Sequence, residues 1–333
     1  MHRVRGSVAE LSAACSIALM TALLAACGGG GGEGDNAADA NQTSGGASSS
    51  SLTQTATQQA LQDPNAPAFT GNTVVDGLNW INYRRVQTGL PAVTRNGLID
   101  AAAQAHSNYQ KLNDTITHIE TPGRPGFTGV SPGDRLAAAN YVFTQRSYAH
   151  GEVISATAEQ SGFGAVENLI AAIYHRYAIL EPTFKEAGTG SATVTNGYTY
   201  FTTNLATNGL APGIPRGTVV IYPYDNQQLV PTIFFSDREM PDPVPDRNEV
   251  GYPVSVHANI TATIGVQTFA IRPRGGADLP VRLLTHQTDS ETPLSAASII
   301  PTGILAPQTT YEVRFAGTVD GVPVERSWSF RTQ

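Results

Sequence analysis

The stretch from Val166 to Gly190 reads VENLIAAIYHRYAILEPTFKEAGTG, and its two ends want different backbones. Val166 to Tyr174 is an apolar helical run. Pro182 bars its extension past Leu180, because the residue before a proline is pushed out of the helical region. Beyond Gly188-Thr189-Gly190, the run Tyr198-Thr199-Tyr200-Phe201-Thr202-Thr203 is β-branched and aromatic and reads as a strand. Gly217 to Tyr222 reads as another. Upstream, Leu98, Ala101, Ala102, Ala105, Tyr109 and Leu112 fall on one helical stripe, with Asn96 placed to cap it. Ser131-Pro132-Gly133-Asp134 is a capping box with proline at the first helical position, opening a helix through Tyr141. Helices grouped first and strands afterwards predict an α+β domain of sandwiched layers over residues 67–222.

Downstream, residues 223–250 are rich in proline and acids, including MPDPVPDRNE, and read as a stiff connector. From Gly251 to the end the period changes to two. Tyr311, Val313 and Phe315 alternate with Glu312 and Arg314, and Trp328 and Phe330 alternate with Ser327, Ser329 and Arg331. Asp320-Gly321 between these runs is a hairpin signal. Tyr311, following Leu305 and opening an alternating run, has the placing of a tyrosine corner. Residues 251–333 therefore read as an all-β sandwich of the immunoglobulin or fibronectin kind.

The N-terminal side carries an address and a spacer. Arg3 and Arg5 precede an uncharged apolar run over residues 11–26, too short to span a bilayer and right for a signal peptide. It ends Leu24-Ala25-Ala26-Cys27, which resembles the lipobox of bacterial lipoproteins. That resemblance implies a lipid-modified Cys27 as the first mature residue, anchoring the protein to a membrane. Gly28 after the cysteine favours the outer membrane, on its periplasmic or cell-surface side. Residues 28–66, dominated by Gly, Ser, Ala, Thr and Gln, have too little to bury to offset ordering entropy and read as a flexible tether.

Composition removes other classes. The chain has 333 residues, a net charge of -7 and only 14% charged residues, which argues against a nucleic-acid partner that needs a basic face. Cys15 and Cys27 are the two cysteines, so no disulfide framework and no cysteine-based zinc site can form in the body of the protein. The motifs HExxH and GxSxG, the phosphate loop and the dinucleotide fingerprint are all absent.

Several short motifs occur in order through the first unit: Asn96-Gly97-Leu98-Ile99, Ala105-His106-Ser107, His118, Gly133-Asp134-Arg135, Gly151-Glu152-Val153, Tyr174-His175-Arg176 and Gly188-Thr189-Gly190. Their sequence over residues 73–208 resembles the CAP superfamily of cysteine-rich secretory, antigen 5 and pathogenesis-related proteins, in its bacterial SCP-like branch. The resemblance implies an α-β-α sandwich with a shallow cleft lined by two histidines and two glutamates. His118, Glu152 and His175 match three of these positions. Ala172 stands at the fourth, with Glu167 one turn back as a substitute. Val153 stands where the eukaryotic pattern has asparagine.

Taken singly, His118 reads as a loop residue, Glu152 as a surface acid and His175 as a helix-end charge. Taken together, two imidazoles and a carboxylate make an N,N,O set suited to Zn²⁺ or another divalent metal, or to moving protons to and from a water. His106 reads instead as a packed histidine on its helix. The expected function is a membrane-anchored, extracytoplasmic binding module for a small-molecule, lipid or protein ligand. A metal-dependent hydrolase using His118, Glu152 and His175 as catalytic residues, and a lipid or sterol carrier, are the alternatives.

Overall fold

The computed structural model describes residues 63–333, so the expected signal peptide, Cys27 and most of the expected tether lie outside the described residues. Its first unit starts with α1 (Thr73–Gln87), β1 (Thr94–Arg95) and α2 (Gly97–Asn113). Next come α3 (Pro132–Ala138), β2 (Tyr148–Thr157), α4 (Gly162–Ala171) and α5 (Ile173–Ile179). The unit closes with β3 (Glu186–Thr193) and β4 (Thr199–Asn208).

The expected caps are in place. The Asn96 side chain accepts from the Leu98 N–H, and Ser131 and Asp134 form the reciprocal capping box. The helix from Ser131 stops at Ala138, short of the expected Tyr141. The apolar run around Val166 is two helices with a break at Ala172, whose backbone is extended.

The four strands order as β1-β3-β4-β2, with β1 parallel to β3 and the other pairs antiparallel. Side chains of adjacent strand residues point to opposite faces, and β4 shows both layers. Phe201 meets the backbone of α1 at Gly77, while Thr202 bonds Ser107 and Gln110 of α2. This is the expected α-β-α sandwich.

The face that α2 buries differs from the apolar stripe. Leu98 and Leu112 are exposed, and Ile99, Ala102, Ala103, His106, Ser107 and Gln110 are buried. The reason lies in β3: a Cβ on Gly188 or Gly190 would come within 2.1 Å of the Asp100 nitrogen or 2.2 Å of the Gln104 nitrogen. The helix backbone rests directly on these glycines, so small and hydrogen-bonding residues, rather than leucines, fill that contact.

The second unit contains two four-stranded sheets. One runs β11 (Val281–Leu284), β12 (Ala296–Pro301), β9 (Val254–His257), β5 (Val220–Tyr222). The other runs β10 (Ile264–Pro273), β13 (Thr310–Val319), β14 (Val322–Thr332), β6 (Gln227–Val230). A separate two-stranded ladder joins β7 (Phe234–Phe235) to β8 (Glu249–Val250). Asp320 and Gly321 both take positive φ at the β13–β14 hairpin. The Tyr311 hydroxyl accepts from the Ala306 N–H at 2.8 Å, closing the tyrosine corner.

The connector is structured. Residues Val220–Tyr222, expected in the first unit, are an edge strand of the sandwich, and β6 pairs parallel to β14. A single apolar cluster runs from Trp80, Phe163 and Leu169 to Val254, Ile299 and Trp328. Arg176 crosses the same seam: it donates to the Ile170 and Pro253 carbonyls and lies over the rings of Tyr222 and Tyr252. The boundary drawn at 223–250 from proline content thus runs through shared core.

Candidate ligand-binding cleft

Three separate segments bring the expected residues to one cleft. His118 sits in the loop between α2 and α3, Glu152 on β2 and His175 on α5, and all three line the same cavity of about 50 Å³. That is room for a few water molecules or one small polar group.

Behind the cleft wall lies a buried ion network that the sequence reading did not assemble. Arg135 donates to both Glu152 oxygens at 2.8 Å and holds the His118 carbonyl at 3.0 Å. The His118 Nδ1 lies 2.9 Å from Glu152 Oε1. His106, packed on α2 as expected, has Nδ1 2.8 Å from Glu120 Oε1 and Nε2 2.7 Å from the Thr117 carbonyl. Both of these partners only accept, so both ring N–H groups donate. Burial alone would raise the Glu152 carboxyl, but His106, Arg135 and His118 outweigh it and hold it down to about 2. An ionised Glu152 accepts only. The Nδ1 of His118 therefore carries the proton, and in the neutral ring Nε2 is left as an acceptor.

His175 is held in a parallel way by a residue from the connector. Glu239 accepts from the backbone N–H groups of Ile173, Tyr174 and His175 at 2.7, 2.7 and 3.2 Å, and its Oε1 lies 3.0 Å from His175 Nδ1. The N-cap residue of α5, Ala172, has no side-chain capping bond, and Glu239 satisfies the free helix-start donors in its place. The Nε2 of His175 is buried and has no hydrogen-bond partner.

The sandwich supplies the facing wall. Glu291 and Pro293 line the cleft beside Tyr174 and Tyr177. The Tyr174 hydroxyl donates to Asp289, and the Tyr177 hydroxyl bonds Ser298 at 2.7 Å.

Glu167 does not serve as the fourth member. It is buried on α4, ion-paired with Arg84 at 2.7 Å and accepting from the Trp80 indole. The carboxylate beside His175 comes from Glu239 instead. Glu152, with both oxygens held by Arg135, orients His118 and does not stand as a free third ligand. Among the described residues no group of three or more His, Cys, Asp or Glu side chains is gathered to hold a metal ion. The expected N,N,O set for Zn²⁺ is therefore not fitted by the residues present.

An α-β-α sandwich carrying carboxylate-held histidines in a cleft beside its central sheet defines the class of domain. Residues 78–205 match the sequence model of the CAP family, described as the cysteine-rich secretory protein family, and the first unit is a CAP domain, followed by an all-β sandwich. None of the curated proteins matches the chain. Among solved structures, an extracellular protein containing an SCP domain from Bacillus anthracis str. Ames is 23% identical at a TM-score of 0.33, with 40% of this chain and 39% of that chain covered. An outer surface protein from Borrelia burgdorferi is 16% identical at a TM-score of 0.33, with 40% and 90% covered. The chain thus matches 39% of the length of the Bacillus protein.

Proposed function

We propose that this chain is an exported lipoprotein, anchored to the outer membrane through Cys27, whose CAP domain is a non-catalytic binding module for a small polar ligand. The observation that carries the reading is the pair of imidazoles in one cleft, each fixed through Nδ1 by a buried carboxylate. A ring held in that way has a fixed tautomer and a fixed direction. This is what a binding site requires before the ligand arrives. The cavity lining contains no serine, threonine or cysteine to act as a nucleophile. Its volume of about 50 Å³ suits a polar head group rather than a sterol or an acyl chain. Export is supported by the signal-like leader and the secretory character of the matched family.

One observation favours a second reading. The Glu239–His175 pair has the arrangement of an oriented general base, which a hydrolase activating water would use. A thermal-shift screen of the full chain with small polar compounds tests the two together. A cleft ligand stabilises the wild type and not His118→Ala or His175→Ala. Turnover of ester or amide substrates, lost in both variants, would replace the binding reading with the hydrolase.

A further inference from the structure

We propose that the cleft takes a small organic cation of the ammonium class, with Glu291 of the sandwich as its counter-ion and the Nε2 atoms of His118 and His175 as its hydrogen-bond acceptors. The inference rests on the reading that this cleft is a ligand site and adds the chemistry of its occupant.

The first support is charge. Glu152 faces Arg135, and Glu239 is surrounded by three backbone donors and the His175 ring. Glu291 differs: it is half-buried in the cleft wall, and its carboxylate makes no hydrogen bond or ion pair among the described residues. No lysine or arginine lines the cavity. The unmatched charge of the site is therefore negative.

The second support is the hydrogen-bonding sense of the lining. His175 is 8% exposed, and its Nε2 is a buried polar atom without a partner. Its Nδ1 donates to Glu239, so in the neutral ring Nε2 asks for a donor. His118 presents the same sense, because its Nδ1 donates to Glu152. A buried acceptor left alone is unfavourable, and an ammonium group carries donors and no acceptor.

The third support is the aromatic wall. Tyr174 and Tyr177 have their hydroxyls engaged by Asp289 and Ser298, which leaves the rings as their contribution to the cleft, and aromatic rings attract cations. A divalent metal would need further ligands that are not gathered here. An ammonium group needs only the acceptors and the counter-charge already present.

The test uses the full chain labelled with ¹⁵N at histidine, with ring nitrogen resonances followed at constant ionic strength. Four probes are added separately: methylammonium chloride, methanol as its neutral isostere, sodium chloride and ZnCl₂. Methylammonium is expected to move the Nε2 resonances of His118 and His175 saturably, with no such response to methanol or sodium chloride. Glu291→Gln should weaken that binding about tenfold or more, the worth of one charge-assisted hydrogen bond, and Glu291→Asp should restore part of it. A response to ZnCl₂ or methanol without one to methylammonium overturns the ammonium assignment and leaves the cleft as a ligand site. An unchanged methylammonium affinity in Glu291→Gln overturns the role of Glu291. Silence of both rings toward every probe overturns the cleft reading itself.

Discussion

Replacing Glu152 by glutamine tests the buried network directly. Both carboxylate oxygens accept from the same Arg135 nitrogen at 2.8 Å, and Oε1 also accepts from His118. An amide has one acceptor oxygen, so its NH₂ must face the Arg135 donor in either orientation, and the His118 donor as well in one of them. The carboxyl is held at about 2 against an ordinary value of 4.5, a difference worth about 3 kcal/mol of folding stability at neutral pH. Arg135 would keep only the more distant Glu120, 3.8 Å from its Nε, as a counter-charge, which points to the lower end of the cost of breaking a buried pair, about 3 kcal/mol. For a chain of this size that is a fall in melting temperature of about 5 °C. Because the folded carboxyl titrates below the unfolded one, the contribution is complete above about pH 4.5 and disappears as the pH falls toward about 2. Urea unfolding of wild type and Glu152→Gln at pH 7 should differ by about 3 kcal/mol, and more than half of that gap should be gone at pH 3. Equal stability at pH 7, or a gap that stays constant down to pH 3, would refute the argument that this network contributes through an ionised Glu152.

Other outcomes follow from the same reasoning. Cys27→Ala should move the protein from the membrane to the soluble fraction, read by fractionation and blotting; unchanged membrane partition would remove the lipid anchor. Gly190→Ala should reduce soluble yield and cost more than about 3 kcal/mol, since the new methyl would meet the α2 backbone at 2.2 Å; a variant of wild-type stability in urea would show that α2 can lift from the sheet. Fragments 67–225 and 250–333 should each lose cooperative thermal unfolding by circular dichroism, because the apolar cluster spans both; two sharp transitions would restore independent units.

The general architecture was legible because it rests on local signals. Caps at Asn96 and Ser131, the Asp320-Gly321 turn and the Tyr311 corner each depend on a few neighbouring residues, and each forms. Resemblance to the CAP superfamily placed His118, Glu152 and His175 on one cleft although they are distant in sequence. What could not be read are contacts whose partners sit in segments of misleading composition. Glu239 lies among prolines and acids that resemble a solvated linker, yet its carboxylate is the one that holds His175. The buried face of α2 was misplaced because hydrophobic periodicity assumes that large apolar residues face inward. Here glycines on β3 bring the helix too close for them. Glu167 was a reasonable substitute by helix spacing, but it is bound to Arg84 and Trp80 and does not line the cleft.

The placement of β5 and β6 bears on how this chain resists unwanted assembly. One short strand covers the outer flank of β9, and the other covers the outer flank of β14. A bare flank presents a row of unpaired amides to which another chain can add a strand. The segment that leaves the CAP domain thus shields one margin of each sheet before the chain returns to finish the sandwich. Keeping those margins covered removes two places where a neighbouring chain could add a strand.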